Sequence, residues 1–254
     1  NFLKISSKRT SDQLYQDSIR AETKQAISTL YQVGFQNEKK YTEFPKTKES
    51  INEYLNSLNW KMPWNAGAQF SALCLFTTTQ LEGQTKNKNE SILYDYLTEV
   101  LDKNSGFYYR GTDIDDNEKI NGAMKVITGL DWINRPIHYP EKIIDYCLEV
   151  KPESDGCDLV DLVYVLYKSC SQSDYRKDEI SNYLNKIKAI IEKNYHSNKG
   201  GFSYFKGKSQ THYYGLRISQ GLNTPDIHGT TLLLWALTMI YNINGDTQFK
   251  IIKP

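Results

Sequence analysis

Cysteine is scarce in this chain: Cys74, Cys147, Cys157 and Cys170 are the only four in 254 residues. Disulfide frameworks belong to small, cysteine-dense secreted chains, so these four are read as reduced thiols. Cys157 stands apart because it sits between Gly156 and Asp158. An excess of either charge sign is also missing. The 31 basic and 30 acidic side chains leave a net charge of +1, which argues against duplex nucleic acid or an anionic membrane surface as a partner. Long apolar runs are absent too. The longest, Thr230 to Ile243, is shorter than the roughly 18–20 residues of a membrane helix, so no membrane span is expected. No secretory signal is visible at Asn1, and the expected location is cytoplasmic. The chain lacks a phosphate-cradling glycine loop, a nucleophile elbow, a paired CxxC and an HExxH. Those absences argue against nucleotide hydrolysis, serine hydrolysis and zincin chemistry.

Aromatic residues are plentiful, with 19 Tyr, 9 Phe and 4 Trp, a composition that a disordered chain would not have. Residues 1–254 read as one domain, with 1–10 as a frayed lead-in. Helical spacing of apolar residues predicts nine helices: 11–33, 47–59, 66–76, 89–101, 119–133, 141–150, 158–170, 178–195 and 226–241. Asn65 serves as the N-cap of the third. Thr224 followed by Pro225 gives a start signal for the last. From the third helix onward, helices that are apolar on nearly all sides alternate with amphipathic ones. The apolar helices follow loops rich in Gly and aromatics, such as Gly106-Phe107-Tyr108-Tyr109 and Gly200-Gly201-Phe202-Ser203-Tyr204. Their starts imply a loose repeat of about 35 residues, the mark of stacked helix hairpins. The expected fold is all-α: an α/α toroid with apolar helices inside, amphipathic ones outside, and short strands at the rim near Phe107–Arg110 and Phe202–Phe205. Nine helices fall short of a full ring of hairpins, so the toroid is expected to be incomplete or open.

Parallel inner helices would bring their N-termini to one rim, where free N–H groups and helix dipoles favour anions. Ala66, Gly67, Gly122, Ala123, Gly156 and Gly229 sit at these starts, either for close helix packing or to leave room for a ligand. Asn65 and Asn121 belong to the same starts and are candidate binding residues. The run Thr211-His212-Tyr213-Tyr214-Gly215-Leu216-Arg217, with Arg110, supplies aromatic platforms and an anion partner. His212, Tyr213 and Tyr214 are candidate proton-transfer groups, and Arg110 and Arg217 candidate binding groups. Such a rim is similar to those of carbohydrate-active α/α toroids, the lyases, epimerases and glycosidases.

Asp155-Gly156-Cys157 and, 71 residues after the cysteine, His228 resemble the zinc ligands of the protein prenyltransferase β subunit, itself an α/α toroid. The resemblance implies Zn²⁺ held by Asp155, Cys157 and His228, a mixed donor set of the kind zinc accepts with a fourth position left open. Gly200-Gly201-Phe202 resembles a turn of the same superfamily. Departures accompany the match: Ile227 stands where that family has tyrosine, and no basic diphosphate pocket is evident. Asp113-Ile114-Asp115-Asp116 resembles the acid motif of class II terpenoid cyclases, which implies Asp115 as a proton donor; an acidic run ahead of a helix is equally what the helix dipole favours. The expectation is therefore a toroid enzyme with its site at the inner-helix rim, of terpenoid-cyclase or prenyltransferase type, acting on a small molecule. The alternatives are a glycan-active toroid and a non-catalytic helical-repeat scaffold. His228 is expected in the first turn of the last helix, lining the central pocket within reach of Asp155, Cys157 or Tyr214. Gly229 beside it implies close approach of a helix or ligand to the backbone.

Overall fold

The computed structural model describes residues 11–152, 156–213, 216–246 and 248; Asp155 and Tyr214 lie outside them. Among the described residues there are nine α-helices: α1 (Ser11–Gln32), α2 (Lys48–Ser57), α3 (Pro63–Gln80), α4 (Gly83–Tyr96), α5 (Asp116–Trp132), α6 (Pro140–Glu149), α7 (Gly156–Cys170), α8 (Lys177–Ile191) and α9 (Ile227–Ile243). The sheet content is one short antiparallel hairpin, β1 (His212–Tyr213) and β2 (Leu216–Arg217). The two stretches expected as rim strands form only single bridges, Leu101 with Tyr108, Tyr195 with Phe202 and Phe205 with Lys208.

Local chemistry sets the helix starts. Thr47 and Ser50 form a reciprocal capping box on α2. Asp115 caps α5 by accepting from Glu118 N at 2.8 Å, and Asp226 caps α9 by accepting from Gly229 N at 2.7 Å. Two expected caps are displaced. Pro63 takes the first helical position of α3, so Asn65 already lies in the first turn, where it accepts the Gln69 side-chain amide at 2.8 Å. Asp226 rather than Thr224 caps α9, which leaves Pro225 just outside the helix. The fourth helix starts at Gly83, six residues before the expected Asn89, because its first turns are polar and exposed and carry no apolar period. Asn89 itself is buried and donates to Lys46 O at 2.9 Å.

The helices sort into two layers. α1 packs on α3, α3 on α5, α5 on α7 and α7 on α9, while α2, α4, α6 and α8 cover their outer side. The row is parallel. Tyr31 of α1 reaches the end of α3 at Thr79 O, and Thr78 reaches the end of α5 at Trp132 O. At the opposite end, Asn121 near the start of α5 donates to Asp158 at the start of α7. α3 and α5 approach closely because glycines meet: a Cβ on Gly67 would lie 2.8 Å from Gly122 O, and one on Gly122 would lie 2.5 Å from Pro63 Cβ. The main apolar core runs from α2 and α3 through α9, and a second, smaller cluster of Ile27, Ala72, Leu75 and Phe76 joins α1 to α3. α7 buries residues all round, from Leu159 and Val160 to Val165 and Leu166, and removing a side chain such as Leu166 there would cost roughly 2–5 kcal/mol. Among the described residues the row ends at α9, whose outer edge leaves Ile227 and Leu234 exposed. No described helix is long and apolar enough to cross a membrane.

Candidate functional site at the inner-helix rim

The first turns of α5, α7 and α9 bring chemistry-bearing side chains together. Asn121 and Lys125 are one turn apart on α5, Cys157 and Asp161 one turn apart on α7, and His228 lies in the first turn of α9. The Asn121 amide donates to Asp158 Oδ1 at 2.7 Å. The loop before α9 adds Tyr204, whose hydroxyl donates to Cys157 Sγ at 2.9 Å and accepts from Cys157 N at 3.0 Å. The Tyr204 and His228 rings lie 4.9 Å apart at 31°. His228 Nδ1 is bonded to Gln210 Oε1, and Tyr213 meets the imidazole edge-on at 6.3 Å.

Asp226 holds this wall in place. Its carboxylate accepts from Gly229 N, from Tyr204 N at 2.8 Å and from Gln210 N at 3.1 Å, so one side chain ties the helix start to two points of the loop. The expected close approach at Gly229 is that loop: a Cβ there would lie 2.4 Å from Tyr204 N. A Cβ on Gly156 would lie 2.4 Å from the Tyr204 ring. The small residues at the helix starts Gly67, Gly122, Gly156 and Gly229 thus serve close packing.

The electrostatic centre is Asp161. It is 4% exposed, and its Oδ2 is buried with no hydrogen-bond partner. Burial pushes its carboxyl up to about 7; the Lys125 ammonium pulls the other way and Asp158 adds to the rise. The Cys157 thiol is pushed up to about 11, first by burial and then by Asp161. Burial raises the Tyr204 hydroxyl above its ordinary value, and burial lowers His228 against the opposing pull of Asp226. Near neutral pH the rim therefore holds a neutral imidazole, a protonated thiol and phenol, and a carboxyl close to half protonated. Asn121 Oδ1 is a second buried acceptor with no partner.

The other residues expected from sequence fall in several places. Asp115 is exposed and engaged as the α5 cap. Asp116 beside it takes Lys119 at 3.3 Å and is bonded to the Tyr146 hydroxyl. His212 is exposed on β1 with its Nδ1 3.0 Å from Thr211 Oγ1, and Arg217 on β2 donates to Ser219 O at 3.3 Å. Arg110 is exposed, its backbone N–H bonded to Trp60 O. Asn65 faces Gln69, which in turn accepts from Arg20 of α1 and Tyr54 of α2, away from the α7–α9 rim. Of the expected site, then, Asn121, Cys157, His228 and Tyr213 come together, while Asn65 lies in the first turn of α3 and Asp115, Arg110, His212 and Arg217 lie on a cap, the hairpin or an outer loop. Among the described residues no group of three His, Cys, Asp or Glu is placed to hold a metal ion. Asp155, the third ligand implied for zinc, lies outside them, and Tyr204 contacts both of the other two.

Sequence reading missed Asp161, Lys125, Tyr204 and Asp226. Asp161 left a signal: it is the lone carboxylate inside Leu159-Val160-Asp161-Leu162-Val163. A charge on a helix that is apolar on all sides must be neutralised or paired. No family model, curated protein or solved structure matches this chain.

Proposed function

We propose that the rim formed by α5, α7 and α9 is the mouth of an enzyme of α/α-toroid type that performs acid–base chemistry on a polar, ring-bearing substrate of the carbohydrate class. The single observation that carries the reading is Asp161, a buried carboxyl one turn below Cys157 with an oxygen left unbonded. A carboxyl in that setting keeps a proton to give at neutral pH and can take it back, the requirement of a general acid–base group. Lys125 beside it stabilises negative charge as it develops. Tyr213, 48% exposed beside His228, offers a flat face for a sugar ring, and Asn121, Asp158 and Gln210 offer polar partners for its hydroxyls. An isoprenoid chain would need an apolar wall at this mouth, and the side chains gathered there are polar or aromatic. That contrast favours the carbohydrate reading over the terpenoid and prenyltransferase one.

The test is product analysis by mass spectrometry after incubation with a panel of neutral and uronic oligosaccharides and, separately, farnesyl diphosphate. The reading expects turnover of an oligosaccharide that Asp161→Asn reduces by at least about a hundredfold, the scale of one general acid–base group. Turnover of farnesyl diphosphate, or an Asp161→Asn protein as active as the parent, would overturn it.

A further inference from the structure

Toward the other end of the same helices lies a cavity of about 420 Å³, between the last turns of α5 and α7 and the middle of α9. Four aromatic rings line it, Trp132, Tyr164, Tyr167 and Trp235, together with Asp131 and Lys168. The Tyr164 and Trp235 rings are 5.2 Å apart and tilted by 37°. The size suits a small molecule, and aromatic walls with few polar groups are the usual build of such sites.

The polar groups narrow the class of ligand. Asp131 is already engaged twice, by the Tyr164 hydroxyl and by the Lys168 ammonium at 2.9 Å. Lys168 also stands 5.8 Å over the Tyr164 ring, so the place that an organic cation would take is filled by the protein's own ammonium. What stays unmet is a donor. Trp235 is 6% exposed, and its indole N–H is buried with no hydrogen-bond partner. Buried indole N–H groups ordinarily find an acceptor. Lys168 has three N–H donors to share between Asp131 and a second acceptor. An occupant should therefore be flat, to lie among the rings, and should carry an anionic acceptor.

We propose that this cavity binds an aromatic acid, its ring held among Trp132, Tyr164, Tyr167 and Trp235 and its carboxylate accepting from Trp235 Nε1–H and the Lys168 ammonium. The proposal is independent of the acid–base reading of the rim.

Isothermal titration calorimetry with 2-naphthoate, and with 2-naphthylmethylamine as the cationic counterpart, tests it. The expected result is one 2-naphthoate per chain, with the amine at least about tenfold weaker. Trp235→Phe keeps a ring and removes only the N–H donor. It should weaken 2-naphthoate by about 10- to 100-fold, the effect of losing a hydrogen bond to a charged group. Lys168→Met should weaken it by a similar factor. Absence of 2-naphthoate binding at about 1 mM, a preference for the amine, or unchanged affinity in Lys168→Met would overturn the proposal. If Trp235→Phe fails to fold, Lys168→Met alone decides.

Discussion

Replacing Asp161 by Asn is expected to stabilise this protein above neutral pH, although it changes a buried side chain in the middle of a core helix. In the unfolded chain the carboxyl titrates near its ordinary 3.8; in the fold, burial moves it up to about 7. Between those values the folded state holds a proton that the unfolded state has released. Stability therefore falls as pH rises through the interval and is flat on either side. A difference of about three pKa units corresponds to ~4 kcal/mol, of which roughly 3 kcal/mol is lost between about pH 5 and pH 8. Asparagine keeps the shape and never ionises, so the variant should lack that slope. The assay is urea unfolding followed by tryptophan fluorescence at the two pH values, with the m-value checked for constancy. Asp161→Asn should gain on the parent as pH rises, ending up to ~4 kcal/mol more stable at about pH 8. Identical slopes in the two proteins, or a variant less stable at the higher pH, would refute the reasoning.

Other expectations follow from the same wall. Gly229→Ala places a Cβ 2.4 Å from Tyr204 N, so a loss of more than about 3 kcal/mol should appear in the same urea assay. Asp226→Ala removes the α9 cap and both loop bonds at once, and ~3 kcal/mol should be lost, with faster amide hydrogen exchange at Tyr204 and Gln210 as the local sign. Cys157, held up to about 11, should react with iodoacetamide at pH ~8 at least about tenfold more slowly in the native protein than in urea. His228→Ala should change stability by only about 1 kcal/mol, since Asp226 does the capping, yet abolish oligosaccharide turnover. A folded His228→Ala protein with full activity would remove the imidazole from the site.

The two-layer plan was readable because burial leaves a direct trace in composition. α7 sits between α5 and α9 and is apolar on most sides, and α9 is equally apolar although it ends the described row, whereas α6 and α8 cover them and show one apolar face. Helix starts were read less well, because a cap is a contact and several residue types near a start can make it. Asp226 takes the cap expected of Thr224, and the polar first turns of α4 carry no period. His228 is legible because Thr224-Pro225 marks a helix start just before it and its spacing from Cys157 resembles a zinc-ligand set. Tyr204 is not, because its meaning lies in a thiol 47 residues away and a carboxylate 22 residues away. Asp161 is concealed by its surroundings: inside an apolar run it reads as one polar position of a helix, and only packing shows that it is almost wholly buried. The Asp113–Asp116 run carries the opposite lesson. It matched a catalytic motif in spelling, but Asp115 is exposed and occupied in capping, a role that any acidic residue ahead of a helix can take.

Carboxyl ¹³C NMR of aspartate-labelled protein, with the Asp161 signal assigned by its loss in Asp161→Asn, tests the claim that the rim is a proton-transfer site most directly. Titrated from about pH 4 to pH 9, that signal should shift with a midpoint near 7. A midpoint below about 5 would mean that Asp161 is ionised throughout the working range, with no proton to give, and would contradict the account.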